Sequence, residues 1–140
     1  MAAISRTLLV DDDTTNFLNQ ARLRRRAVTD KVLVAGNGQE ALDLLHPNCE
    51  QAPLPTCPAL ILLDMKMLRM NGMEFMQACA QRPLTSQAAV VIIMLTTSLH
   101  PQDVARMRTL PIAGFLTKPL TKEKVNTILK LHFQRQFPLI

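Results

Sequence analysis

Apolar positions along the chain fall into two alternating kinds of segment. Some are short, nearly continuous runs with the length of buried strands, and between them apolar residues recur at helical spacing. The predicted strands are Thr7–Val10, Lys31–Ala35, Ala59–Leu63, Ala89–Leu95 and Ile112–Thr117. The predicted helices are Thr14–Ala27, Gln39–Leu45, Gly72–Gln81, a short one between Pro101 and Pro111, and Lys122–Phe133.

Strand-helix units repeated in series predict an α/β fold, with a parallel sheet, helices on both faces and right-handed crossovers. The proline-rich stretch Pro47–Pro58 is predicted to be a surface loop before the third strand. In open sheets of this kind, ligands bind beyond the carboxyl ends of the strands. Candidate functional residues are therefore expected where the predicted strands end.

The composition predicts one compact domain over residues 1–140, because 48% of the residues are hydrophobic and the length suits a single core. This excludes a disordered chain and a large multidomain enzyme. The longest apolar run, Ala88–Leu95, is far shorter than the roughly 20 residues of a membrane span. Three acidic residues follow the first strand at once, unlike a signal peptide, so a cytoplasmic location is expected.

Two further features of the composition have ordinary explanations. The net charge of +5 comes partly from an arginine cluster, Arg22 to Arg26, on the polar face of the first predicted helix. No nucleic-acid motif accompanies it, so a solvated helix face is expected and DNA binding is not. The three cysteines lack C-x-x-C spacing and are expected to be reduced thiols. Cys49 and Cys57 flank the proline-rich loop, and the sequence leaves open whether they form a disulfide bond.

The strand ends carry a distinctive set of side chains. Asp11, Asp12 and Asp13 follow the first strand, Asp64 the third, Thr96 ends the fourth, and Lys118 follows the fifth. Two carboxylates about 5 Å apart repel by roughly 3 kcal/mol at an effective dielectric near 20. Converging carboxylates therefore require a cation, and oxygen ligands suit Mg²⁺. A carboxylate beside Mg²⁺ can attack phosphorus, with ammonium and hydroxyl groups stabilising the transferred phosphoryl group.

The order and spacing of these motifs resemble the receiver domains of two-component response regulators, in particular the stand-alone, single-domain type. The matching motifs are LLVDDD (Leu8–Asp13), LILLD (Leu60–Asp64) followed by Met67 and Asn71-Gly72, MLTTS (Met94–Ser98) and FLTKP (Phe115–Pro119). The resemblance covers about residues 4–133 and leaves a short tail, 134–140. It implies a doubly wound, flavodoxin-like sheet of five parallel strands in the order 2-1-3-4-5.

The resemblance also implies a role for each matched residue. Asp64 corresponds to the phosphoacceptor, and Mg²⁺ would be held by Asp11, Asp12, Asp64 and the backbone carbonyl of Lys66. Thr96 and Lys118 correspond to the hydroxyl and the ammonium that contact the phosphoryl group. Phe115 corresponds to an aromatic residue whose rotamer follows the movement of the Thr96 hydroxyl onto that group. The resemblance therefore implies that Thr96 and Phe115 are the switch residues, which respond to the phosphorylated state.

The implied function is to accept a phosphoryl group from a histidine kinase or phosphotransfer protein, then to relay it or dock on a target. Only 22 residues follow Lys118, so no output domain is expected. The expected docking face comprises the fourth predicted helix, the fifth strand and the fifth helix. The protein is expected to catalyse no reaction beyond its own phosphorylation and dephosphorylation.

Three positions depart from the family pattern, and two alternative functions of the protein remain. Leu68 stands where proline is common, Thr97 where a small residue is common, and Asp13 has no implied metal role. One alternative is a haloacid-dehalogenase-type phosphatase, with Asp11 as nucleophile and Asp13 as general acid. Against it, only Glu123 follows Lys118 where that family needs a further acidic pair. The other alternative is a degenerate receiver that binds partners without being phosphorylated.

Overall fold

The structure, a computed structural model, describes residues 4–11, 29–49, 57–65, 70–81, 90–97, 100–110, 112–118 and 120–132. The first predicted helix, Thr14–Ala27, and the tail 134–140 lie outside these ranges. Other residues named from the sequence also lie outside them, among them Asp12, Asp13, Lys66 and Leu68.

The described part of the chain forms one parallel sheet, with strands in the order β2-β1-β3-β4-β5. The strands are β1 (Ile4–Val10), β2 (Thr29–Ala35), β3 (Leu60–Asp64), β4 (Val91–Thr96) and β5 (Gly114–Thr117). The described helices are α1 (Gly38–Cys49), α2 (Gly72–Gln81), α3 (Pro101–Arg108) and α4 (Lys122–His132). The predicted fold class and strand order are confirmed, and α3 and α4 correspond to the fourth and fifth predicted helices.

Helices cover both faces of the sheet, which is why its central strands are almost continuously apolar. Every residue of β3 is buried. On one face, side chains of α1, α2 and α3 pack with Leu8, Ile61 and Met94. On the other face, α4 packs with Leu9 and Leu62. None of the helices in the described ranges has the length and apolar character needed to cross a bilayer.

Two helices begin with the same capping sequence, Asn-Gly-x-Glu. The side chain of Asn71 accepts a hydrogen bond from the backbone N–H of Glu74 at 2.9 Å, and the Glu74 carboxylate accepts one from the Asn71 N–H at 3.1 Å. At the start of α1, Asn37 accepts from the backbone N–H of Glu40 at 3.0 Å. These contacts satisfy N–H groups that have no partner within the helix.

The end of α1 differs from the prediction, because Pro47 lies inside the helix and not in a loop. Proline has no N–H to bond the carbonyl four residues earlier, so this last turn depends on other contacts. The side chain of Asn48 donates to the carbonyl of Leu44 at 2.6 Å and stabilises this last turn. Burial of Cys49 in the core also favours continuation of the helix to that residue.

The expectation of reduced thiols is wrong for two of the three cysteines. Cys49, at the end of α1, forms a disulfide with Cys57, eight residues later and shortly before β3, with Cα atoms 5.3 Å apart. Cys79 is free and buried. Burial raises the pKa of the Cys79 thiol to about 11, so this side chain remains protonated and poorly reactive at neutral pH.

Reduction of the disulfide should destabilise the fold. Closing a loop between residues eight apart lowers the entropy of the unfolded chain and stabilises the protein by about 2.5 kcal/mol on the loop-entropy model. We expect a reductant to lower the melting temperature measured by circular dichroism. The double variant Cys49→Ala/Cys57→Ala should melt below the oxidised parent and ignore the reductant. An equal response of both proteins to the reductant would contradict this prediction.

Candidate functional site

The carboxyl ends of four strands meet at one edge of the sheet and bring the predicted site residues together. Asp64 is the last residue of β3 and pairs in register with Leu95, next to Thr96 at the end of β4. Thr96 pairs with Thr117, which directly precedes Lys118. Val10 pairs with Leu63, so that Asp11 and Asp64 follow at equivalent positions on neighbouring strands.

Backbone hydrogen bonds fix these strand ends. The N–H of Asp11 donates to the carbonyl of Ala35 at 3.0 Å, and the N–H of Lys118 donates to the carbonyl of Thr96 at 2.7 Å. The residue after Asp64, Met65, donates to the carbonyl of Leu95 at 3.0 Å. Each side chain of the site therefore leaves a backbone position that is held by a neighbouring strand.

The Lys118 ammonium joins the two carboxylates. Its Nζ atom lies 3.0 Å from Oδ2 of Asp11 and 3.2 Å from Oδ1 of Asp64. Asp11 and Asp64 are only 4% and 6% exposed. Hydrogen bonds between charged groups are stronger than neutral ones, and burial reduces their screening by water and salt. Asp11, Asp64 and Lys118 form the bridged trio on which the rest of the site is built.

The environment keeps the Lys118 side chain charged. Burial lowers the pKa of this ammonium, but the hydrogen bonds and negative charges of Asp11 and Asp64 raise it by more. The net result is a pKa above the ordinary lysine value of 10.5. At neutral pH, Lys118 is therefore a fixed positive charge beside Asp64.

The chemistry of the trio fits a divalent cation with a preference for oxygen ligands. Its two carboxylates and one ammonium carry one more negative than positive charge. Carboxylate oxygens are the ligands that Mg²⁺ favours. The described residues contain no cluster of three or more His, Cys, Asp or Glu side chains placed to bind a metal. The other two predicted ligands, Asp12 and the carbonyl of Lys66, lie outside the described residues.

The two predicted switch residues lie on adjacent strands. Thr96 is buried at the end of β4. Phe115, on β5, pairs in register with Met94 of β4 and packs, partly buried, against the core beneath α1, α2 and α3. Thr97, one of the departures from the family pattern, has an exposed side chain.

Met65, directly after β3, and Met70, just before α2, make close backbone contacts that were not predicted from the sequence. The N–H of Gly72 donates to the carbonyl of Met65 at 3.1 Å, and a Cβ atom at Gly72 would lie 2.8 Å from the carbonyl oxygen of Asp64. At the other side, Gly38 donates to the carbonyl of Met70 at 3.1 Å. Met70 itself has a positive φ of 46°, a conformation unusual for a residue with a side chain. The repeated Asn-Gly pair was the available sequence signal for these contacts.

Comparison with known proteins agrees with this arrangement. A family model described as the response regulator receiver domain matches residues 7–130. The chain belongs to this family. Within it, the receiver is 27% identical over 128 residues to a probable chemotaxis protein CheY from Rhizobium etli, covering 91% of this chain and 92% of the relative. It is 30% identical over 112 residues to the response regulator Rcp1 from Synechocystis, covering 79% and 74% of the two chains.

A solved structure shares the fold of this receiver. A two-component response regulator from Cytophaga hutchinsonii superposes with a TM-score of 0.78 at 26% identity, covering 91% of this chain and 95% of the other. The comparisons give no support to the phosphatase alternative. The protein is thus a receiver of the two-component type and not a conventional enzyme.

Removing the Lys118 ammonium should destabilise the receiver in magnesium-free buffer. Lys118→Met leaves Asp11 and Asp64 without their shared partner, and breaking a buried ion pair in this way typically costs about 3 kcal/mol or more. Because folding raises the pKa of Lys118, its contribution is fully present below pH 10.5 and is lost as the pH rises through the raised value.

Urea unfolding at neutral pH and above pH 10.5 tests this prediction. The stability difference between the parent and Lys118→Met should shrink at the higher pH. Lys130→Met, which changes an exposed lysine of α4, is the matched control and should resemble the parent. A difference that persists unchanged at high pH would argue against the ion pairs as its source.

Proposed function

We propose that Asp64 of this receiver accepts a phosphoryl group from the phosphohistidine of a sensor histidine kinase or phosphotransfer protein. The observation that carries the proposal is the bridged trio, in which the Lys118 ammonium lies 3.2 Å from Oδ1 of Asp64 at the carboxyl edge of the sheet. The family match over residues 7–130 supports it. We take residues 4–133 as the working unit of this activity.

In the proposed reaction, a carboxylate oxygen of Asp64 attacks phosphorus while the phosphorus–nitrogen bond of the donor breaks. The electron pair of that bond returns to the imidazole, which takes up a proton, and Asp64 becomes an aspartyl phosphate. Attack of water on phosphorus later restores the carboxylate and releases inorganic phosphate. In phosphoryl transfer, positioning and neutralisation of charge account for most of the rate enhancement. Lys118 contributes to both because it is already paired with Asp64.

We assign the metal-binding role to Asp11, Asp12, Asp64 and the backbone carbonyl of Lys66. When bound, Mg²⁺ would neutralise charge on the carboxylates and on the phosphoryl oxygens. The excess negative charge of the bridged trio supports this assignment. Asp11 also keeps Lys118 directed towards Asp64, since one ammonium contacts both carboxylates.

The aspartyl phosphate would be read by Thr96, Lys118 and Phe115. A phosphoryl group brings about −1.5 to −2 charges and three strong acceptors to the end of β3. The Thr96 hydroxyl and the Lys118 ammonium are donors at the neighbouring strand ends. We propose that their movement alters the surface formed by α3, β5 and α4, and that this surface binds the downstream protein.

Phosphorylation should occur at Asp64 and depend on Mg²⁺. Intact-mass measurement after incubation with acetyl phosphate and Mg²⁺ should show the mass gain of one phosphoryl group in the parent. Asp64→Asn should show none while keeping its circular dichroism spectrum, because the amide is not a nucleophile towards phosphorus. Mg²⁺ should raise the melting temperature of the parent much more than that of Asp12→Ala, since a ligand stabilises the form that binds it.

Three results would overturn or redirect this proposal. Equal phosphate uptake by Asp64→Asn would refute the assignment of the phosphoacceptor. Loss of an acyl phosphate in Asp11→Asn, but not in Asp64→Asn, would favour the phosphatase alternative. Absence of any mass gain in the folded parent, with kinase or phosphotransfer donors as well as acetyl phosphate, would favour the degenerate receiver.

Thr96→Ala should allow phosphorylation but weaken the structural response. A phosphoryl group shifts a conformational equilibrium only through its different interactions with the two states, and this variant removes one of them. Chemical-shift mapping with and without a stable phosphoryl mimic should show changes at Phe115 and α3 in the parent and smaller ones in Thr96→Ala. Changes confined to the loops around Asp64 in the parent would contradict the proposed readout.

A further inference from the structure

Lys124 contacts Thr117, which lies outside the bridged trio. Its Nζ atom lies 2.5 Å from the backbone carbonyl oxygen of Thr117 and 3.0 Å from the Thr117 hydroxyl. Thr117 is the last residue of β5 and immediately precedes Lys118. Lys124 is only partly exposed, although it lies in the first turn of α4.

Its place in the helix is unusual for a lysine. Thr121 caps α4 by accepting from the backbone N–H of Lys124 at 3.3 Å. The same position in α2 is occupied by Glu74, whose side chain reaches back to its own cap. A cation in the first turn is disfavoured by the helix dipole. The lysine therefore needs a compensating contact, and the end of β5 provides it.

The contact satisfies a backbone group at the edge of the sheet. Among the described strands, β5 is the last of the sheet, with β4 on one side. The N–H of Lys118 points towards β4, where it donates to the carbonyl of Thr96 at 2.7 Å. Successive residues of a strand direct their backbone groups to opposite sides, so the Thr117 carbonyl points to the open edge. Lys124 meets it there.

One peptide group is thus held from both sides. Lys124 binds the oxygen of the peptide bond between Thr117 and Lys118, and Thr96 binds its N–H. Fixing this plane holds the Lys118 Cα atom and restricts the direction in which the side chain leaves the backbone. That direction leads to Asp11 and Asp64, 3.0 and 3.2 Å from the ammonium.

We infer that Lys124 is a positioning residue, which holds the Thr117–Lys118 peptide so that the Lys118 ammonium is directed at Asp64. Its contribution to phosphoryl transfer rests on the proposed function. Its effect on Lys118 does not, and can be measured in the unphosphorylated protein.

The test compares Lys124→Met with Lys124→Arg, since arginine keeps donors able to reach the Thr117 oxygens. The first measurement is the exchange of the Lys118 ammonium protons with water, followed by nuclear magnetic resonance without Mg²⁺ and assigned through Lys118→Met. The second is the rate of Asp64 phosphorylation by acetyl phosphate at saturating Mg²⁺. Lys130→Met removes an exposed charge from the same helix and is the control.

In Lys124→Met we expect exchange about tenfold faster and phosphorylation about tenfold slower, the effect of losing a hydrogen bond from a charged group. Lys124→Arg should remain near the parent, and Lys130→Met should not differ from it. Parent-like exchange in Lys124→Met, or an equal loss in Lys124→Arg, would overturn the inference.

A second variant covers the possibility that Lys124→Met does not fold. Thr117→Val removes the hydroxyl contact and changes no charge, so it should speed exchange of the Lys118 ammonium protons in the same direction but less. No change in this folded variant would also overturn the inference. A parent that takes up no phosphate refutes the proposed function, while the exchange measurement still decides the role of Lys124.

Discussion

The attraction of the Lys118 ammonium to two carboxylates from different strands imposes the geometry on which the site depends. With β4 lying between them, β3 and β5 are about 10 Å apart, twice the usual strand spacing. A short side chain at the end of β5 would not meet Asp64, whereas the four-carbon stem of a lysine does. The strand order therefore requires a long cationic side chain at this position. Thr96, on β4, lies between Asp64 and the backbone of Lys118. Close packing on both faces holds these strands in register.

The described residues between β3 and α2 also lie close to other backbone segments. A side chain at Gly72 would meet the Asp64 carbonyl, and one at Gly38 would lie 2.5 Å from the carbonyl of Met70. Both glycines belong to Asn-Gly pairs that begin helices, so one local sequence supplies a helix cap and a close approach together. The positive φ of Met70 is maintained by the hydrogen bond that its carbonyl accepts from Gly38. Such conformations persist where surrounding structure fixes them. The start of α1 thereby holds Met70, the residue from which the chain leads into α2.

The sequence predicted the fold well because its signals are local or follow from topology. The bounds Gly72–Gln81 were predicted as observed, since an Asn-Gly start and apolar spacing agree there. Convergence of Asp11, Asp64, Thr96 and Lys118 followed from the rule that parallel strands end at one edge. The end of α1 was mispredicted because core burial of Cys49 outweighs the local preference of Pro47. The disulfide and the contact of Lys124 with Thr117 depend on how loops return to the sheet, and periodicity carries no information about that.

The Thr117–Lys118 peptide links three parts of the structure that the proposed function requires to move together. Its N–H is bound to the residue that carries the Thr96 hydroxyl, and its oxygen is bound to the first turn of α4. Phe115 lies two residues before Thr117 on the same short strand. A phosphoryl group on Asp64 would offer the Lys118 ammonium new oxygen acceptors in competition with Asp11. A lysine side chain can move before its backbone does. The hydrogen bonds on both sides of this peptide therefore determine how much of a displacement of the Lys118 ammonium reaches β5. A peptide held firmly on both sides passes a change at the ammonium to α4 and Phe115, whereas a loosely held one absorbs it. On the proposed function, the readout would therefore depend on the backbone restraint as much as on the charges of the site.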